Sequence, residues 1–112
     1  MIPVSFAQRR LWFLGQLEGA SATYNIPLAL RLSGVLDVDA LRAALADVAR
    51  RHETLRTVFP QVDGEPRQEI LRGAAGVPEV AVKSVAAEDV ASEVADVTGT
   101  GFDLERDLPW RV

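Results

Sequence analysis

The amino-acid sequence predicts a layered α+β fold, an α/β sandwich of helices against a sheet, and three observations carry that prediction. The first is an apolar stripe. Val38, Leu41, Leu45, Val48, His52 and Leu55 recur at spacings of 3 and 4, as on one face of an amphipathic helix. The second is alternation: Tyr24, Ile26, Leu28, Leu30 and Leu32 fall at period two, as in a strand with one covered face. The third is the pair Asp63-Gly64 between Thr57–Val62 and Glu65–Leu71, which is hairpin-turn chemistry.

The elements follow in order. A helix is predicted from Ser5 to about Leu17, with Ser5 as N-cap and Gln8 completing a capping box. It is apolar around much of its circumference and so expects cover on more than one side. Gly19 is placed to end it. The alternating strand Tyr24–Leu32 comes next, and Pro27 confines its early part to a sheet edge. The striped helix runs from Asp37 or Asp39 to about Leu55, with Asp37 as N-cap and Arg50, Arg51 and Arg56 toward its C-terminal end. The hairpin spans Thr57–Leu71. A short strand is predicted over Glu79–Lys83 and a third helix over Ala87–Thr98, closed by Gly99 and Gly101. Leu108–Val112 opens an apolar segment that reads as the start of a buried strand cut short, so the chain is expected to be one domain, residues 1–112, incomplete at its C-terminal end.

Composition narrows the function classes. The chain has 112 residues and a mass of 12.2 kDa, one domain at most. It has no cysteine, so disulfides, thiolate metal sites and cysteine nucleophiles are excluded. Its single histidine excludes a multi-histidine metal site. No apolar run reaches the roughly 20 residues of a membrane helix, and the first residues lack the pattern of a signal peptide, which leaves a soluble cytoplasmic chain as the expectation. Net charge is −4, divided as +2 over residues 1–60 and −6 over residues 61–112. No concentrated basic patch marks a nucleic-acid surface.

Candidate chemistry is sparse. His52 is the only available imidazole base, but it falls on the apolar stripe between Val48 and Leu55, where a hydrogen-bonded core histidine is expected instead. The carboxylate pairs Asp37 with Asp39 and Glu88 with Asp89 both lie at helix starts, where acids complement the helix dipole. Gly99-Thr100-Gly101 follows a helix instead of opening one and lacks the lysine of a phosphate loop. Arg51 and Arg56 flank His52-Glu53 at a helix end, the position from which a guanidinium pins a helix terminus or meets a buried acid. Periodicity and spacing alone show no catalytic constellation.

Two segments carry a resemblance. Ser5-Phe6-Ala7-Gln8-Arg9-Arg10-Leu11-Trp12-Phe13-Leu14 resembles the first core motif of condensation domains in nonribosomal peptide synthetases, S-x-A-Q-x-R-L-W-x-L. Arg51-His52-Glu53-Thr54-Leu55-Arg56-Thr57-Val58-Phe59 resembles their second, R-H-E-x-L-R-T-x-F. Tyr24-Asn25-Ile26-Pro27 and Leu36-Asp37 also sit where that family has them. The resemblance runs along the whole chain and covers only the opening of the family's domain. It implies the N-terminal lobe of a chloramphenicol acetyltransferase-like fold. It also implies a parent that joins an acyl or peptidyl thioester to an aminoacyl thioester, both on phosphopantetheine arms of carrier domains. No cofactor is expected on this chain itself. The family's H-H-x-x-x-D-G motif does not occur here, so no catalytic residue carries over and the fragment alone is expected to be inactive. Ser5, Ala7, Gln8, Arg10, Leu11 and Trp12 match the first motif. Arg51, His52, Glu53, Leu55, Arg56 and Phe59 match the second. Both sets are expected to be architectural. The form of the first motif is that of an ordinary condensation domain taking an L-configured donor. The alternatives are a carrier-binding module without catalysis and a small protein that shares the family's opening.

Overall fold

A tight turn organises the sheet. Asp63 and Gly64 take positive φ values of 53° and 80°, the pattern of a type I′ turn, and so fold the chain back on itself as the pair predicts. The structure, a computed structural model, describes all of residues 1–112. Its elements are β1 (Ile2–Pro3), α1 (Phe6–Glu18), α2 (Val38–Arg51), β2 (Thr57–Val58), β3 (Gln61–Val62), β4 (Glu65–Ile70) and α3 (Val90–Thr98). Short 3-10 turns cover Glu53–Arg56, Gly73–Gly76 and Ala87–Asp89. The architecture is α+β, as expected.

β4 is the strand every other strand pairs with. β2 and β3 lie antiparallel to it through Thr57↔Ile70 and Gln61↔Pro66, and β1 joins through Ile2↔Gln68. Gln68 reinforces β1 by donating its side-chain amide to the Pro3 carbonyl at 2.9 Å. Pro66 is fully buried at the start of β4.

Helix caps behave as local chemistry dictates. The Ser5 hydroxyl accepts from the Gln8 N–H at 3.1 Å, and the Gln8 side chain accepts from the Ser5 N–H at 2.8 Å. Asp37 accepts from the Ala40 N–H at 3.0 Å. Gly19 ends α1 at φ 74°.

The core is small and sits where α1 meets the sheet. Trp12 is 2% exposed, and its indole N–H donates to the Phe59 carbonyl at 3.0 Å. The Phe59 N–H donates in turn to the Leu104 carbonyl at 2.8 Å. Three segments remote in sequence are thereby tied at one residue. Trp12, Ala49, Val58 and Pro66 are the buried apolar side chains of α1, α2, β2 and β4.

Four expectations are corrected. The striped helix stops at Arg51 instead of running to Leu55, because His52 leaves helical geometry at φ −112°, ψ 101° and the chain tightens into a 3-10 turn. Tyr24–Leu32 enters no ladder, and residues 26–36 make no backbone hydrogen bond, since no second strand lies beside them. Glu79–Lys83 is not a strand either. Its one ladder-like bond runs from the Ala81 N–H to the Val112 carbonyl at 3.1 Å. The cover expected around α1 is missing from most of its surface: Phe6 and Leu17 are exposed and only Trp12 is buried.

The surface area measures how open the fold is. The chain exposes 8337 Å², against about 6,000 Å² for a self-contained protein of this mass. Its radius of gyration is 15.8 Å, against about 13 Å for a compact domain of this length. Apolar side chains on α1, on residues 24–36 and on α3 account for most of the large exposed hydrophobics.

Replacing Trp12 by Phe keeps a six-membered ring in the core and deletes the five-membered ring with its N–H. Trp12→Phe should lower the unfolding free energy by about 1–3 kcal/mol, from the lost hydrogen bond to a part-buried carbonyl together with the smaller ring. Urea denaturation reads this directly, and an unchanged midpoint would show that the Phe59 carbonyl does not need the indole.

Candidate functional site

The two motif segments meet the rest of the fold at a clamp and a groove. The clamp is Arg56. Its Nε donates to the Ala49 carbonyl at 3.1 Å, Nη1 to the Leu71 carbonyl at 3.1 Å and Nη2 to the Arg50 carbonyl at 3.4 Å. Ala49 and Arg50 belong to the last turn of α2, where carbonyls have no partner within the helix. A guanidinium supplies donors in a fixed fork and favours the negative end of the helix dipole. The bond to Leu71 reaches past the end of β4, so one side chain joins helix to sheet. The Leu71 N–H returns a bond to the Arg56 carbonyl at 2.8 Å. The clamp is largely enclosed, with the Arg56 side chain 17% exposed and Gly76 packed against it so closely that an added methyl would stand 3.2 Å from its Cβ and Cδ.

The other residues of the second motif are placed less deeply. Arg51 and His52 are exposed. The expected burial of His52 is therefore overturned: the helix ends one residue earlier, and the 3.6-residue period that would turn its ring inward no longer applies. Glu53 is exposed, its carboxylate a weak 3.9 Å from Arg56, while its carbonyl accepts from the Thr57 hydroxyl at 2.7 Å. Leu55 and Phe59 are half-buried. In the first motif Ser5 and Gln8 form the capping box and Trp12 forms the core bond. Ala7 and Arg10 are exposed on α1.

Leu11, also of the first motif, faces the groove. This cavity of about 390 Å³ lies between α1, residues 24–28, the end of α3 and residues 102–111. Leu11, Tyr24, Ile26, Leu28, Phe102 and Trp110 give it an apolar lining. Its rim is held by hydrogen bonds. The Asn25 side-chain amide donates to the Thr98 carbonyl at 3.2 Å and to the Thr100 carbonyl at 2.9 Å. Arg111 donates to the carbonyls of Thr100 at 3.0 Å and Gly101 at 3.1 Å, with its guanidinium 4.2 Å above the Phe102 ring. Gly101 lies against the Ala20 backbone, where no Cβ fits. The Trp110 indole N–H is buried without an acceptor.

Chemically the groove can hold an apolar segment and offer one indole donor. It brings no nucleophile and base together. Asp37 is occupied as a cap, Asp39 lies 3.7 Å from Arg42, and Glu88 and Asp89 stand exposed before α3. No three His, Cys, Asp or Glu side chains gather as a metal site. No helix is long and apolar enough to cross a membrane. The latch formed by Asn25, Thr100 and Arg111 was not foreseen. Only Asn25 carried a signal, as a polar residue opening an otherwise apolar strand pattern.

The clamp and the exposed histidine predict opposite sensitivities. Arg56→Lys should cost about 2 kcal/mol of stability, because a point ammonium cannot reach three carbonyls that the fork bridges. His52→Gln should stay within about 0.5 kcal/mol, as exposed substitutions do. Thermal and urea unfolding of the two variants would test the contrast, and equal losses would refute it.

Comparison with known proteins places this geometry. The condensation-domain family model matches residues 1–112. The chain is 56% identical over 111 residues to a probable non-canonical nonribosomal peptide synthetase, CymA, of Salinispora arenicola, covering 99% of this chain and 1% of that protein. It is 49% identical over 110 residues to a dimodular nonribosomal peptide synthase of Bacillus subtilis, covering 98% of this chain and 5% of that one. Among solved structures, the X-domain from teicoplanin biosynthesis superposes with a TM-score of 0.83 at 39% identity, over 97% of this chain and 23% of that chain. The X-domain in complex with OxyB, from the same biosynthesis, gives 0.82 at 40% identity, over 98% and 24%. The chain thus spans a small part of each relative. With both motifs in place and the match running end to end, it belongs to the condensation-domain family of nonribosomal peptide synthetases.

Proposed function

We propose that residues 1–112 serve as part of the N-terminal lobe of an amide-forming condensation domain of chloramphenicol acetyltransferase-like architecture, in a cytoplasmic synthetase. The observation that carries this reading is the joining of the two motif segments by the Trp12–Phe59 hydrogen bond, in a chain matched to the family throughout. In the parent reaction the acceptor amine attacks the donor thioester carbonyl. A C–N bond forms, the C–S bond breaks, and the amine proton passes to the released thiol. Both thioesters would arrive on phosphopantetheine arms of carrier domains, which are the partners this reading names. No phosphopantetheine attaches to this chain in the reading. Reactions between two tethered reactants gain most of their rate from positioning, which rigid lobes supply.

On this reading the twelve motif residues are structural. Ser5 and Gln8 start α1, Trp12 and Phe59 bind it to the sheet, and Arg56 binds α2 to β4. Ala7, Arg10, Leu11, Arg51, His52, Glu53 and Leu55 shape the surfaces around these bonds. His52, the only imidazole, stands exposed at a helix end with no acid–base partner within the groove lining.

A second reading has a specific observation behind it. One structural neighbour is an X-domain held in complex with another protein. A domain of this family thus binds a protein partner, and we infer that this lobe takes part in such docking, with a carrier domain as the corresponding partner.

A segment exchange separates the two. The 110 matching residues of the Bacillus subtilis synthase are replaced by those of this chain, and carrier-bound amide product is followed by mass spectrometry. Product formation within about tenfold of the parent is expected, since the exchanged residues position the reaction without performing it. A chimera that melts normally, loads both carriers and forms no amide would overturn the catalytic-lobe reading. Saturable one-to-one binding of a loaded carrier by the chain itself would then support the docking platform.

A further inference from the structure

The carbonyls at the end of α3 divide into two groups. The Gly99 N–H donates to the Ala95 carbonyl at 2.9 Å and the Thr100 hydroxyl to the Asp96 carbonyl at 2.7 Å, so two acceptors that the helix leaves open are closed locally. The carbonyls of Thr98, Thr100 and Gly101 take donors from remote parts of the chain instead. Asn25 serves Thr98 and Thr100, and Arg111 serves Thr100 and Gly101. The Thr100 carbonyl is therefore shared, and one oxygen joins residue 25 to residue 111.

We propose that Asn25 and Arg111 are positioning residues of the condensation domain. Acting as one unit through the Thr100 carbonyl, they fix where residues 108–112 leave this lobe, and with it how the rest of the domain is seated. The proposal rests on the amide-forming reading, since a reaction between two tethered reactants depends on placement.

Three observations distinguish this unit from an ordinary contact. The first is how the arginine is used. Arg111 pairs with no carboxylate; its guanidinium is spent on two backbone carbonyls and on the Phe102 ring, 4.2 Å away. A planar fork on two successive carbonyls sets direction as well as distance, which a point charge does not.

The second is what the fork holds. Gly101 lies against the Ala20 backbone so closely that no Cβ fits there, and Ala20 directly follows the Gly19 cap of α1. Arg111 is thus referenced to the end of α1, the helix that Trp12 anchors to the sheet.

The third lies one residue on. The Val112 carbonyl accepts from the Ala81 N–H at 3.1 Å, and Lys83 of the same segment meets Glu93 of α3 at 2.6 Å. Residues 108–112 are thereby held to α3 from both sides, by the latch and through residues 81–83.

The consequence for the reaction is mechanical. This chain superposes on 23% of the X-domain chain from teicoplanin biosynthesis, so most of a domain of this kind lies outside the lobe and has to be seated against it. The groove brings no nucleophile and base together, so what the lobe contributes is the placement of groups that lie elsewhere. An error of about 1 Å in such placement costs on the order of a hundredfold in rate.

The test uses the segment-exchange synthase described above, carrying Asn25→Ala, Arg111→Lys or both. Hydrogen exchange read by mass spectrometry on the peptide containing Ala81 reports where residues 108–112 sit, and single-turnover amide formation between loaded carriers reports the consequence. Asn25 makes no hydrogen bond to Ala81 or Val112, yet Asn25→Ala should speed exchange at Ala81 by about fivefold or more, as Arg111→Lys does. Each variant should slow amide formation about tenfold or more while the apparent affinity for loaded carrier stays within about twofold. Because both release the same carbonyl, the double variant should be no more than about threefold slower than the slower single, where independent losses multiply. Unchanged exchange at Ala81 in Asn25→Ala, rate losses that multiply, or rates within about twofold of the unsubstituted synthase would each overturn the proposal. So would exchange that rises equally in the peptide containing Trp12, which marks general loss of the fold. An unsubstituted synthase that forms no amide refutes the amide-forming reading and the role in the reaction with it, whereas the exchange arm still accepts or refutes the unit itself.

Discussion

Phe59 is where the fold is decided. Its carbonyl accepts from the Trp12 indole and its N–H donates to Leu104, so α1, the strand segment after α2 and the last fifteen residues converge on one peptide unit. Each of these bonds spans more than forty residues of sequence. Bonds of that span are entropically costly to close and hold only where burial makes an unpaired carbonyl more costly still. Trp12 provides that burial with the same side chain that makes the bond. A tryptophan at this position is therefore two things at once: the largest piece of core and the donor that places it. Remove it, and α1 keeps its capping box and the surface contacts of Arg9 with Glu65 and Gln16 with Glu105 but loses its buried anchor on the sheet.

Arg56 solves a neighbouring problem in backbone accounting. A helix that ends within the protein leaves carbonyls that must find donors. α2 ends abruptly, and the residue that follows it is not a glycine in left-handed geometry but His52 in extended geometry. The donors come instead from a guanidinium five residues beyond the helix. This explains why the second motif is written as it is. The 3-10 turn over Glu53–Arg56 brings the guanidinium back under α2, and the Thr57 hydroxyl closes that turn on the Glu53 carbonyl. The arginine then reaches Leu71, so the end of one helix and the end of one strand share a single ligand.

What the sequence made legible follows a physical division. The capping box at Ser5 and Gln8, the Asp37 cap and the Asp63-Gly64 turn are readable because a few adjacent residues settle them. For Arg51 and Arg56 the sequence left two uses open, pinning a helix end or meeting a buried acid; Arg56 reaches the helix carbonyls and Arg51 is exposed. The end of α2 was not readable. His52 and Leu55 continue the apolar spacing faultlessly, and nothing in the spacing shows that Arg56 will outbid another turn of helix. The strand over Tyr24–Leu32 failed differently. Alternation reports which face a strand covers, but a ladder also requires a second backbone, and periodicity is silent on that. The Asn25–Thr100–Arg111 latch was out of reach because each partner is ordinary by itself and only the fold brings them together.

The apolar residues divide accordingly into two populations. One is closed around Trp12, Val58 and Pro66, with hydrogen bonds to match. The other comprises Phe6 and Leu17 on α1, the leucines of residues 28–36 and the valines of α3, all exposed. The closed set is too small to account for the 48% hydrophobic content of the chain. The open set is organised, not scattered, since it lies on a segment of alternating sequence and on the faces of two helices. Organised apolar surface of this extent is characteristic of interfaces and not of ordinary solvent-facing skin. The hydrogen-bonded hub thus does more than stabilise a small core. By tying α1, the sheet and the C-terminal segment to one peptide unit, it holds these apolar surfaces in fixed relation to one another.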